Sequence, residues 1–100
     1  MKIDIINEGN KKRIIPDGRL DAAASAELEI VIQQQLQGEV KELVVDMEKC
    51  GYVASSGLRV ILQAQKTMNR IGGSMVVCNV NEVVMEVFEM TGFSSILTIK

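Results

Sequence analysis

The pair Ser55 and Ser56, followed by Gly57 in the stretch CGYVASSGLRVIL (residues 50–62), raises the first question of chemistry in this chain. A serine nucleophile needs a base within hydrogen-bond reach, most often histidine. The 100 residues contain no histidine, so a Ser-His-Asp site is excluded, and VASSG lacks the first glycine of a GxSxG nucleophile elbow. No motif supports a lysine base. Asp21 and Asp46 are the next candidates, because paired carboxylates do acid–base work or bind Mg²⁺ when suitably spaced. Aspartates at strand ends are more often turn and capping residues. Cys50 and Cys78 form no CxxC and have no histidine to complete a metal site, so they read as two reduced, partly buried thiols. The glycines at 51, 57, 72 and 73 match neither GxGxxG nor a phosphate-binding P-loop. These residues therefore predict neither enzyme nor cofactor, and no metal.

What remains is a serine that is acted upon. One of the two serines suits the N-cap of the helix that follows, accepting an amide hydrogen that otherwise lacks a partner. One cap suffices, which leaves the second hydroxyl to explain. A serine at a helix N-terminus is a suitable phosphoacceptor, since free amides and the positive end of the helix dipole tolerate the product. Phosphate adds roughly −1.5 to −2 charges at neutral pH, enough to change what the surface binds without disturbing the fold. Arg59, in the first turn, opposes the dipole and gains nothing from the helix itself. It reads either as a solvated surface residue or as the answer to a partner's carboxylate.

The elements that would position these residues follow from periodicity. Residues 2–7, with Ile3, Ile5 and Ile6, predict a strand that turns at 8–10 into a second strand around 13–17. Leu28, Val31, Ile32 and Leu36 mark one face of a helix capped by Asp21 or Ser25 and ended by Gly38. ELVVDM at 42–47 and SMVVC at 74–78 are short continuous apolar runs, the pattern of strands buried on both faces. Between them, Leu58, Ile61, Leu62, Gln65, Met68 and Ile71 form the stripe of a helix over 57–71, stopped by Gly72 and Gly73. Asn81 caps a third helix, Val80 and Met85 stand at hydrophobic-staple positions, and Gly92 with Phe93 suits a C-terminal cap. SILTIK completes the chain as a short edge strand.

The resulting order, ββαβαβα(β), defines one α/β domain over residues 1–100, with a mixed sheet of four to five strands and helices packed on it. Right-handed crossovers bring GRLDA (18–22) and DMEKCGYVASSGL (46–58) to one edge, where open α/β sheets carry functional loops. Composition agrees with a small layered core: 47% of residues are hydrophobic but only 3% aromatic. A net charge of −2 without a Lys/Arg cluster, and without stacking aromatics, predicts no nucleic-acid partner. No apolar run approaches the roughly 20 residues of a membrane span, and the N-terminus lacks a signal-peptide pattern, so no membrane association and a soluble, cytoplasmic protein are expected.

Taken together, GRLDAAASAEL, LVVDMEKCGYVASSGLRVIL and GGSMVVCNVNEVVMEVFEMTGF resemble, in order and over nearly the whole chain, the STAS domains of bacterial anti-sigma factor antagonists. The resemblance implies a regulatory binding module. Its unphosphorylated form would bind an anti-sigma factor with serine kinase activity and free a sigma factor, and a PP2C-type phosphatase would reverse the modification. It implies Ser55 as phosphoacceptor, Ser56 as either a helix cap or a contact residue, Gly57 as keeping the backbone open to the kinase, and Asp21 and Asp46 as acidic positions bordering the same surface; with Ala54 and, from its place in the first turn, Arg59, these are the expected partner-binding positions. One departure stands out: the family often has aspartate just before the first serine, and this chain has Ala54. STAS domains in other settings imply other readings, among them a constitutive subunit of an ABC-type lipid-transport complex and a stressosome-type scaffold component.

Overall fold

The computed structural model describes residues 1–100. Strand β1 (Lys2–Glu8) and strand β2 (Lys11–Leu20) form the expected antiparallel hairpin, with Ile5 opposite Ile14 and Ile3 opposite Pro16. Helix α1 (Ala22–Gln35) crosses to β3 (Glu42–Asp46), which lies parallel to β2. A short strand, β4 (Cys50–Val53), then pairs in parallel with the last residues of β2, and helix α2 (Ser55–Arg70) starts directly from it. Strand β5 (Ser74–Cys78) pairs in parallel with β3, and helix α3 (Glu82–Met90) ends in a 3-10 turn at Phe93–Ser95. The main sheet runs β1-β2-β3-β5, with β4 attached to β2.

The expected class and mixed sheet hold, with two differences in detail. The segment 50–53, expected as part of a loop, is a strand, because it can extend the edge of β2 beyond the end of β3. The C-terminal SILTIK does not form a full strand. Only Ile99 bridges Val77, with the Val77 amide donating to Thr98 O and the Lys100 amide to Val77 O at 2.9 Å each.

The core lies between one sheet face and the helices. Ile14, Leu43, Val45, Met75 and Val77 from the strands meet Leu28 and Ile32 of α1, Leu58, Ile61 and Met68 of α2, and Val84 and Phe88 of α3. Period-2 alternation sends Arg13, Val44, Asp46, Val76 and Cys78 to the opposite face of the sheet. Ile71, expected on the inner stripe of α2, follows the helix as its C-cap and is exposed, while Val60 and Ala64 take up buried positions facing α1. No helix is long and apolar enough to cross a membrane.

Candidate functional site

The edge where β2 and β4 end is built by backbone pairing. Leu20 lies opposite Val53, and the Ala54 amide donates to Leu20 O at 2.9 Å, so the start of α2 is locked beside the start of α1. The two segments that the crossovers were expected to bring together do meet here. Asp21 caps α1, its Oδ1 accepting from the Ala24 amide at 2.9 Å, and Ser25 Oγ donates back to Asp21 O at 2.6 Å.

Helix α2 begins differently. Its N-cap position is Ala54, which has no side chain able to accept, so neither serine is the cap. Ser55, Ser56 and Gly57 are therefore the first three helical residues, whose amides have no carbonyl four residues back to bond. Leu58 is the first with such a bond, its amide donating to Ala54 O at 3.0 Å. The serine side chains diverge. Ser56 Oγ donates to Ser25 Oγ at 3.2 Å, stitching the two helix starts together, whereas Ser55 is exposed.

Gly57 is buried against the sheet and does not open the backbone to solvent. A Cβ there would stand 2.8 Å from Leu20 Cδ2 and 3.0 Å from Val53 Cγ1, so glycine is required for close docking of α2 on β2 and β4. Asp46 is likewise not presented at the surface. It is 4% exposed, its Oδ2 paired with the Arg13 guanidinium at 3.1 Å and its Oδ1 accepting from Asn79 at 3.0 Å and from the Glu48 amide at 3.1 Å. Burial alone raises its carboxyl, but the hydrogen bonds from Asn79 and Glu48 and the charge of Arg13 outweigh that and hold it below the usual value. Asp46 thus fixes the turn that leads into β4.

Ser55 and Arg59 stand four residues apart on the exposed side of α2, a spacing that places them on one face. With Leu58, Leu62, Thr91 and Phe93 they line an open cleft of about 460 Å³ between α2 and the end of α3. Gly92, in the left-handed conformation at φ 79°, turns the chain after α3 so that Phe93 reaches this cleft. A second feature that sequence reasoning missed is Arg19, whose guanidinium lies 4.2 Å from the centroid of the Tyr52 ring. The signal for it was available only with β4 in hand, since Arg19 and Tyr52 are register partners.

The cysteines and aspartates near this edge are each held by burial or by partners within the chain. Burial pushes both the Cys50 and Cys78 thiols up, away from thiolate character, and the cysteines are not bonded to each other. Asp21 and Asp46 are each committed to partners within the chain. What the edge presents is an exposed hydroxyl on an uncapped helix N-terminus, flanked by an apolar cleft and Arg59.

A mixed sheet of this order, with its helix starts gathered at one edge, defines a small α/β domain. The model of the STAS domain family matches residues 7–100, and the chain belongs to that family. It is 33% identical over 82 residues to BtrV of Bordetella bronchiseptica, covering 82% of this chain and 71% of that one. To the anti-sigma F factor antagonist of Paenibacillus polymyxa it is 32% identical over 83 residues, again 82% and 71%. Among solved structures, the anti-sigma factor antagonist SpoIIAA superposes in its unphosphorylated form with a TM-score of 0.79, at 19% identity over 99% of this chain and 87% of that one. The phosphorylated form of SpoIIAA, a Bacillus protein, gives 0.78 at 19% identity over 99% and 91%.

Proposed function

We propose that this chain is an anti-sigma factor antagonist, a regulatory binding module rather than an enzyme, switched by phosphate on Ser55. The observation that carries the reading is the open N-terminus of α2: an exposed hydroxyl, no side-chain cap, and three amides without intrahelical partners. Phosphate on Ser55 gains those amides and the positive end of the dipole, and Arg59 stands at the i+4 position to pair with it. The relatives' names support the class. The equal match of the fold to both forms of SpoIIAA supports a switch that alters the surface and leaves the fold in place.

In the unphosphorylated form, the cleft of Leu58, Leu62 and Phe93 with Arg59 receives an anti-sigma factor, which releases its sigma factor. That anti-sigma factor acts as the serine kinase, and a PP2C-type phosphatase restores binding. A phosphate set against an apolar or acidic patch repels the partner, and about 2.8 kcal/mol is enough for a hundredfold loss of affinity. Incubation with the cognate anti-sigma kinase and ATP is expected to add one phosphate by intact mass, retained in Ser56→Ala and absent in Ser55→Ala. Phosphate that persists on Ser55→Ala would overturn the assignment. For the switch, the phosphorylated protein should bind the kinase at least a hundredfold more weakly in calorimetry, and equal affinity would defeat it.

A further inference from the structure

The two edges of the main sheet are treated differently. At the β5 edge the C-terminal segment runs alongside and bridges Val77. At the other edge β1 has β2 on one side and nothing on the other, over seven residues free of proline and bulge. Such an edge is a ready template for another strand, and proteins usually blunt it. Here it carries Ile5 and Ile6, 36% and 43% exposed. On the flank of α1 that faces away from α2, Glu27 touches the Met1 nitrogen at 2.8 Å, and Ile30, one turn on, is 56% exposed.

The sequence of β1, KIDIINE, reads as its own complement in one register. A twofold axis perpendicular to the sheet and centred on Ile5 sets Lys2 opposite Glu8 at both ends, Asp4 opposite Ile6, and Ile5 opposite Ile5. Every residue of the strand then has a partner on the same sheet face, and no like charges meet. Centring on Asp4 places that carboxylate opposite itself, and centring on Ile6 places Asp4 opposite Glu8. Centring on Ile3 pairs Lys2 with Asp4 but engages only the first residues of the strand. We propose that β1 is a homodimer interface, pairing antiparallel with β1 of a second copy about Ile5 to form one continuous eight-stranded main sheet from two sheets of four.

Sedimentation velocity on the full chain tests this directly. The chain is expected to show a concentration-dependent monomer–dimer equilibrium. By symmetry Lys2→Glu creates two like-charge pairs, and Glu8→Lys does the same, so each should weaken the dimer roughly tenfold. The double variant Lys2→Glu/Glu8→Lys should recover the parent affinity. This rescue is diagnostic because Lys2 also faces Asp17, and Glu8 faces Lys11, within the monomer. The double variant leaves both of those intrachain pairs like-charged, so recovery can come only from pairing between chains. A chain that stays monomeric at every concentration overturns the proposal, as does a dimer indifferent to the single variants or not restored by the double. Circular dichroism of all three variants checks that each is folded.

Discussion

Two of the three α-helices are closed at their N-termini, and one is left open. Asp21 accepts from the Ala24 amide at the start of α1, and Asn81 accepts from the Val84 amide, at 2.8 Å, at the start of α3. At the start of α2 the equivalent position is Ala54, which accepts nothing through its side chain. The same backbone geometry, extended at the cap and helical beyond it, is thus used in two ways. Where stability is the only demand, a carboxylate or amide completes the helix. At α2 the unmet amides lie beside an exposed serine, and under the proposed function phosphate on Ser55 would take the place a cap would occupy.

The helix start that lacks a cap is held instead by the Ala54–Leu20 and Ser56–Ser25 hydrogen bonds and by the close docking of Gly57 on β2 and β4. Gly57→Ala puts a methyl group within 3.0 Å of Leu20 and Val53, side chains already packed in the core. Overpacking of this kind is expected to cost about 2 kcal/mol and to lower Tm by on the order of 10 °C. An unchanged melting temperature would show that α2 is anchored elsewhere and that its open end is incidental. The same substitution at Gly51, where the nearest atom is 4.0 Å away, is the control.

The second contrast is between the two aspartates that border this edge. Asp21 is exposed and caps a helix; Asp46 is buried and ion-paired with Arg13. The folded Asp46 carboxyl sits below its unfolded value of 3.8, so its contribution is fully present above that pH and is lost as the pH falls below it. Asp46→Asn is expected to lower stability by about 1.5 kcal/mol at neutral pH, the low end for hydrogen bonds to a charged group, because Arg13 is partly exposed. In urea melts the gap between variant and parent should close as the pH drops below 3.8. A gap that is constant with pH would mean that charge plays no part in holding this turn.

These contrasts also mark how far the sequence could be read. The hairpin, the two buried strands and all three helices follow from periodicity and breakers, since β2, β3 and β5 differ sharply in pattern from the amphipathic runs between them. Strand β4 was illegible because CGYV has four residues and a glycine, and it is a strand only by virtue of the edge that β2 offers. The C-terminal SILTIK has the opposite history: its alternation favours a strand, but the turn at Phe93–Ser95 leaves only residues 98–100 within reach of β5. At the site, Ser55 and Arg59 could be singled out by type and spacing. The inward turn of Ser56, the packing role of Gly57 and the burial of Asp46 could not, because each depends on a contact with a residue distant in the chain: Ser25, Leu20 and Arg13. The approach of Phe93 to Ser55 belongs to the same class of information.

The smallest effects give the finest test of the open end. Asn81→Ala should remove about 1 kcal/mol, the usual value of an N-cap, whereas Ala54→Asn should add between a few tenths and about 1 kcal/mol, because amides that now lack a partner within the chain gain one. Opposite signs at the two positions are the prediction, read from thermal melts of the unmodified proteins. The gain also bears on the proposed switch. An asparagine at 54 occupies the amides that phosphate on Ser55 would use, so the shift in Tm on phosphorylation should be more negative, or less positive, in Ala54→Asn than in the parent. If the two shifts are equal, phosphate draws nothing from the helix end, and Arg59 alone must account for its tolerance there.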